Sequence, residues 1–205
     1  MGRKQNVVEA ERAGAKQPER FNPAKAAFLD DEARFSYLPV RDVLRLLAPA
    51  QGGLVADFGT GTGAYAIALA RLRPDLKIAA LDEQKAMLSK LRAKLRKNPL
   101  ANVVPVLSGG RSERRLVGKT DRVLAINVLH ELGDQALRSV ASLLAENGRA
   151  VFIDWNAAAK RPIGPPKDHV YSPGEAFQRL KKFSFKPLRR RLFDYHYAFV
   201  CAGPR

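Results

Sequence analysis

The chain predicts a single α/β domain built on a doubly wound, mostly parallel sheet, and three observations carry that prediction. Leu54 to Ala70 reads as an apolar strand, a glycine turn and a helix. Leu54, Val55 and Phe58 supply the strand, Gly59, Gly61 and Gly63 permit close backbone approach, and Ala64 to Leu72 has helical propensity and length. The same alternation returns downstream, with Lys77 to Leu81 before a helix over Glu83 to Lys97, and Asp121 to Asn127 before a helix over Ala136 to Leu144. Finally, 205 residues at 46% apolar content suffice for one substantial core and are too few for two ordinary domains.

A strand, turn and helix of this kind aim backbone N–H groups and the positive end of a helix dipole at an anion. Gly59, Gly61 and Ala64 satisfy the spacing of a dinucleotide fingerprint, and Asp82 follows the first glycine by 23 residues, so the glycines alone leave a nicotinamide-type oxidoreductase open. Asp57 argues for another ligand. A carboxylate two residues before the first glycine repels a pyrophosphate, by roughly 4 kcal/mol at about 4 Å and an effective dielectric near 20. The same carboxylate attracts an ammonium group. A ligand that offers a carboxylate to the turn and an amine to Asp57 is an amino acid joined to a nucleoside, as in the methionine end of S-adenosylmethionine. Asp82, closing the next strand, would accept from ribose hydroxyls. The plainer alternative is that Asp57 only hydrogen-bonds the turn.

The run Asp57-Phe-Gly-Thr-Gly-Thr-Gly63, Asp82, and Asp121 to Leu132 with its Asn127-Val-Leu-His-Glu131 core resemble class I S-adenosylmethionine-dependent methyltransferases. The resemblance implies a Rossmann-like, seven-stranded sheet with an antiparallel C-terminal strand. It places the cofactor on Asp57, Gly59, Thr60, Gly61, Thr62, Gly63, Asp82, Glu83, Ser108 and Asn127. More narrowly, Phe21-Asn-Pro-Ala-Lys25 with Leu29-Asp-Asp31, and Ile153-Asp-Trp155 followed by Gly164-Pro-Pro166, are similar to small methyltransferases of the ubiquinone and menaquinone biosynthesis type. That subgroup implies a small aromatic or lipophilic acceptor. Ser108 to Glu113 departs from the pattern, because related enzymes carry an acid just after the third strand to accept from the adenine amino group. Ser108, a main-chain carbonyl, or Glu113 reaching back would take its place, or Glu113 pairs with neighbouring arginines.

Thirty-six basic against 20 acidic residues give a net charge of +16. The excess clusters in Lys85 to Lys97, Arg111 to Arg115 and Arg179 to Arg191, which makes RNA or a ribosome-associated substrate the second acceptor class, set against a merely solvated basic face. A non-catalytic nucleic-acid-binding module is the remaining alternative. The single cysteine, Cys201, excludes an internal disulfide and a thiol cluster, and no metal set is expected. No apolar run is long enough to span a bilayer and the N-terminus lacks a signal-peptide core, so a cytoplasmic location is expected.

In chain order, residues 1–20 are polar and charged and read as a mobile tail, with one methyltransferase domain over 21–205. Residues 21–47 carry enough apolar surface to dock, and by resemblance pack over the cofactor mouth as lid helices. Phe21 and Lys25 are candidate substrate contacts there, Asn22 caps a turn begun by Pro23, and Arg34 could reach a substrate anion. A helix over Pro39 to Leu47 precedes the first strand. Met87, Leu88, Leu91 and Leu95 form the inward face of the helix after Asp82, and Asn102 to Leu107 is the third strand, with Pro105 suiting an edge.

Ligands in open α/β sheets sit beyond the carboxyl ends of the strands. The fourth strand therefore delivers Asn127 to orient the cofactor, and His130 as candidate base with Glu131 orienting it, or both as helix-capping groups. Asn147-Gly148 turns into a fifth strand, Arg149 to Asp154, which ends on Asp154 and on Trp155 as a pocket wall or core residue. Arg161 to Lys167 reads as an extended loop over the pocket with Asp168, His169 and Tyr171 at its rim. Ser172 to Glu175 reads as a capping box, and Phe183 to Phe185 with Phe193 to Cys201 as a final antiparallel pair with His196 opposite Tyr195 and Tyr197.

Overall fold

A computed structural model describes residues 21–204; the expected tail over 1–20 lies outside them. Fourteen elements follow in order. After a 3-10 turn at Pro23–Asp30 come α1 (Arg34–Tyr37), α2 (Val40–Leu47), β1 (Leu54–Phe58), α3 (Ala64–Leu72), β2 (Lys77–Asp82), α4 (Lys85–Lys97) and β3 (Val103–Leu107). They are followed by α5 (Arg111–Arg114), β4 (Thr120–Ile126), α6 (Asp134–Leu143), β5 (Leu144–Trp155), α7 (Pro173–Lys182), β6 (Lys186–Leu192) and β7 (His196–Ala202).

The seven strands form one sheet in the order β3-β2-β1-β4-β5-β7-β6. β1 to β5 are parallel, and β7 runs antiparallel between β5 and β6. The order reverses at β1, where β2 and β4 flank it and Asp57 lies opposite Ala80 and Leu124. Both faces are covered, as a central parallel sheet requires. Strand residues alternate between two cores: Ala56, Phe58, Val123, Ala125, Phe152, Phe199 and Cys201 meet α6 and α7, whereas Val55, Ile78, Leu124, Val151, Ile153 and Val200 meet α2, α3 and α4. Cys201 is therefore a core residue, and burial pushes its thiol up to about 12.

Pro105 does stand on an edge strand, where its missing N–H costs no ladder bond. Ser172 caps α7 in a full capping box with Glu175, and the Asn22 side chain accepts from Ala24 at the first turn.

Two boundaries differ from the sequence expectation. β5 begins at Leu144, and Asn147-Gly148 forms a bulge within it: Thr120 pairs with Leu144 but Arg122 with Arg149. A Cβ on Gly148 would meet the carbonyl oxygens of Thr120 and Ala145 at 2.8 and 2.9 Å, so only glycine fits the bulge. The penultimate strand is Lys186–Leu192 and not Phe183 to Phe185. Phe185 drops into the core from the turn, and the charged run that follows forms an edge strand whose side chains face solvent. Tyr195 precedes β7 and packs against Tyr37 on the same side as His196, not opposite it. Tyr197 alone takes the other face.

Candidate active site

A cavity of about 520 Å³ opens at the carboxyl ends of β1, β2 and β4. Its floor is Asp57, Gly59, Thr60 and Gly61, one side is Asp82, Glu83, Gln84 and Met87, and the other is Asn127, Val128, Glu131 and Leu132. Ser108, Gly109 and Glu113 close the far end, and Phe21, Leu29 and Arg34 cover the mouth.

Glycine is required at two positions of the turn. Gly59 has φ +74 and its Cβ would meet Val128 Cγ2 at 2.6 Å, while Gly63 has φ +82 and its Cβ would meet Leu91 Cδ1 at 2.4 Å. The turn is tied to its neighbours. Leu81 O accepts from the amides of Gly59 at 2.9 Å and Thr60 at 2.8 Å, Thr60 O accepts from Gly63 at 2.9 Å, and Asp82 Oδ2 accepts from Gly61 at 2.8 Å. These four amides are thus engaged inside the protein, contrary to the expectation that the turn holds them out to an anion. Asp82 Oδ1 also accepts from Gln84 N at 2.8 Å, so the carboxylate is pinned by main chain while facing the cavity.

Asp57 is buried and accepts from Thr60 Oγ1 at 2.6 Å. Burial raises its pKa to about 6, the Thr60 hydroxyl opposing and the Asp82 charge adding to the shift. A buried, cavity-facing carboxylate held in this way is poised for a cation. Asn127 stands at φ 54 and its Oδ1 is buried without a partner. An orphaned acceptor on the wall of a cavity marks a place for a ligand donor.

Of the other expected cofactor contacts, Thr62 and Gly63 do not line the cavity. Thr62 Oγ1 turns away to donate to Asp30 Oδ1 at 2.5 Å, and Gly63 sits under Leu91. Glu113 takes the reach-back alternative: it is buried, accepts from the Gly109 amide and lines the cavity beside Ser108.

At the β4 and β5 ends the structure reverses the expected order of His130 and Glu131. Asp154, fully buried, accepts from the His130 amide at 2.8 Å and the Trp155 amide at 2.7 Å, and both its oxygens lie 2.9 Å from His130 Nδ1. The pair makes Nδ1 the protonated nitrogen and leaves Nε2 3.7 Å from Glu131 Oε1. Burial alone would depress the His130 pKa, but Asp154 carries it above the ordinary value. His130 does not line the cavity; Glu131 does. Burial pushes the Glu131 carboxyl up to about 7, with His130 and the Phe21 amide opposing.

Glu131 also holds the cover in place. Its Oε2 accepts from Phe21 N at 3.1 Å, and Gln84 Nε2 donates to Phe21 O at 3.0 Å. Asp30 pairs with Lys94 on α4. The leading segment is thus tied down beside the cavity mouth, and the side chain of Lys25 lies outside the described residues. Asp154 and Trp155, expected to line the substrate pocket, do not: Asp154 is enclosed by its three donors, and Trp155 packs 4.2 Å from His196 with Arg161 above it at 5.3 Å. His196 is fully buried, stacks on Tyr37 at 5.8 Å and 7°, and has no partner on either ring nitrogen. Burial lowers its pKa to about 4, so the ring is neutral at pH 7. Tyr171 is buried, not at a rim, and among the described residues no His, Cys, Asp and Glu group is arranged to hold a metal ion.

Gln84 and Leu29 join the site beside Arg34, which the sequence offered only as a contact for a substrate anion. Of the two, Gln84 had a signal, since it follows the strand-end acid by two positions at the start of a helix.

Residues 56–150 match the model of a family described as a methyltransferase domain. The fold is similar to that of a SAM-dependent methyltransferase from Aquifex aeolicus, with 26% identity over 89% of this chain and 98% of that one and a TM-score of 0.81. A putative type 11 methyltransferase from Sulfolobus solfataricus has 21% identity over 82% of this chain and 92% of that one, at a TM-score of 0.64. A putative S-adenosyl-L-methionine-dependent methyltransferase from Methanococcus maripaludis has 16% identity over 94% and 98%, at 0.67. The last two likenesses show the fold alone. No curated protein matches the chain. Fold, matched domain and cavity agree on an enzyme, a methyltransferase whose methyl donor is S-adenosylmethionine. No described helix is long and apolar enough to cross a membrane.

Proposed function

We propose that this enzyme methylates a small planar aromatic or lipophilic acceptor, as the resemblance to the ubiquinone and menaquinone biosynthesis type implies, and that Glu131 accepts the acceptor's proton. The donor, when bound, supplies a methyl group made electrophilic by its sulfonium. Asp57 takes the ammonium of its amino-acid end, Asp82 the ribose hydroxyls, and Ser108 and Glu113 the adenine end, where Glu113 stands in for the acid missing after β3, while the unpartnered Oδ1 of Asn127 accepts from the ligand on the β4 side. The enzyme's own contribution is to bind, align and desolvate the reactants.

The observation that carries the small-acceptor reading is the enclosure of the cavity. Its cover is clasped on both sides of Phe21, which favours an acceptor small enough to sit beneath it. Phe21, Leu29, Val128 and Leu132 line the cavity and offer an apolar surface to such an acceptor. Glu131 is the cavity-facing end of a line in which Asp154 orients His130 and His130 backs Glu131. A carboxylate with a pKa near the working pH is suited to take a hydroxyl proton. Phenol and 4-nitrophenol test both parts. Phenol must lose its proton during transfer, and 4-nitrophenol is already largely ionised near pH 8. The wild-type enzyme methylates both, its rate on phenol rising as pH passes about 7, and Glu131→Gln loses phenol methylation by about 100-fold or more while keeping most of its rate on 4-nitrophenol. Equal losses on both, or no transfer to either by the wild type, contradict the reading.

The net charge of +16 supports a second reading, in which the acceptor is RNA or a ribosome-associated molecule. Exposed Arg189 and Arg190 on β6 and the outer face of α4 are the candidate contacts. Binding of a structured RNA that weakens by about 10³-fold or more between 50 and 200 mM salt supports it, and an affinity indifferent to salt removes it.

A further inference from the structure

The amides of Gly59, Thr60, Gly61 and Gly63 are spent on Leu81, Asp82 and Thr60, so the turn does not present them to the carboxylate of an amino-acid ligand. The ligand that Asp57 would hold by its ammonium still carries that carboxylate. A nearby cation must answer it, because a charge removed from water is costly unless paired. Arg34 has the required placement. Its guanidinium lines the cavity mouth, close enough to Asp57 to stabilise the carboxylate's ionised form. One nitrogen is fixed: Nη1 donates to Leu29 O at 2.7 Å. The planar group lies over the Tyr65 ring at 5.6 Å, and its charge opposes the rise that burial gives the Tyr37 hydroxyl. Nε is buried and has no partner. The group is thus held at the cavity mouth with one donor left without a partner.

We propose that Arg34, from the lid, receives the carboxylate of the donor's amino-acid end, so that the zwitterion is held between Asp57 in the sheet and Arg34 in the cover. A guanidinium suits this role through its rigid fork of donors. Lid and ligand are then coupled: the segment that carries Phe21, Leu29 and Arg34 gains a charged contact only when the cavity is filled. The proposal rests on the assignment of S-adenosylmethionine to this cavity, and the test separates the two.

The full-length protein is titrated calorimetrically with S-adenosylhomocysteine and with the same thioether lacking the carboxylate. The wild type binds the carboxylate-bearing compound about 100-fold more tightly. Arg34→Met binds both alike, at the wild-type affinity for the decarboxylated compound, and Arg34→Lys recovers part of the preference. Thermal melts confirm that the variants fold, and the wild-type comparison needs no variant. If the wild type discriminates and Arg34→Met keeps the full ratio, or if the wild type does not discriminate, the role of Arg34 is overturned while the cofactor assignment stands. If neither compound binds the wild type, the cofactor assignment falls and this inference with it.

Discussion

Asp57→Ala binds S-adenosylhomocysteine about 30-fold or more weakly than the wild type, whereas Asp57→Asn, with a similar loss, folds at least as stably at pH 7. The first result follows from removing one partner of a desolvated charge pair, which typically costs about 2–5 kcal/mol. The second follows from the carboxyl's position. Asp57 is buried, and its folded-state pKa is raised to about 6 from 3.8, burial being the largest cause. A group raised in the folded state contributes stability that is fully present below its unfolded value and lost as pH rises through the folded one. At pH 7 the cofactor-free protein therefore carries an ionised, buried Asp57 at the expense of its own stability. An amide relieves that strain and still accepts from Thr60 Oγ1, the partner at 2.6 Å. A site residue that lowers stability is the mark of a group kept for its ligand. Calorimetry and thermal melts on the two variants check both halves.

Asp154→Ala destabilises the fold by roughly 3–5 kcal/mol, the cost of leaving a buried pair with one partner. It strands three donors together: the amides of His130 and Trp155 and the imidazole of His130. For a chain of 205 residues a loss of this size lowers the Tm by about 10 °C. The effect has a pH signature. Burial opposes and Asp154 more than restores the His130 charge, so the folded-state pKa of His130 lies above its ordinary 6.5. That contribution is complete below about 6.5 and fades as pH rises through the raised value. The gap between wild type and Asp154→Ala is widest in mild acid and narrows in alkali, whereas a loss from packing alone would not vary with pH. Denaturant titrations at acid and alkaline pH distinguish them. Because Asp154 aims His130 at Glu131, the variant also releases Glu131 from its line.

The parallel sheet was legible because its strands are buried on both faces and so read as continuous apolar runs, Lys77 to Leu81 and Thr120 to Ile126 among them. Asp57, the glycines and Asp82 were legible because their chemistry is local: a strand end, a turn and a second strand end. The edge strand Lys186–Leu192 was not, since an edge tolerates charge on most of its positions and loses the alternation that marks a strand. The neighbouring aromatic run imitated the missing signal.

That Glu131 and not His130 lines the cavity was hidden for a similar reason. Which of two adjacent residues at a turn faces the ligand is decided by Asp154, 24 residues away in the chain and next to β4 only through the β4–β5 pairing. Arg34 reads in sequence as a basic residue of the leading segment able to reach a substrate anion. The occupied amides of the glycine turn point it instead to the donor.

If a zwitterionic nucleoside fills the cavity with its ammonium on Asp57, its binding must follow the charge of that carboxylate. Calorimetric titration of the unmodified protein with S-adenosylhomocysteine, repeated between about pH 5 and 8 with a nicotinamide dinucleotide as comparison, tests it most directly. The account predicts that the dinucleotide fails to bind, and that the thioether binds with an affinity level above pH 6 and falling about tenfold per unit below it. Tight dinucleotide binding with none for the thioether, or a thioether affinity unchanged across that range, would contradict it.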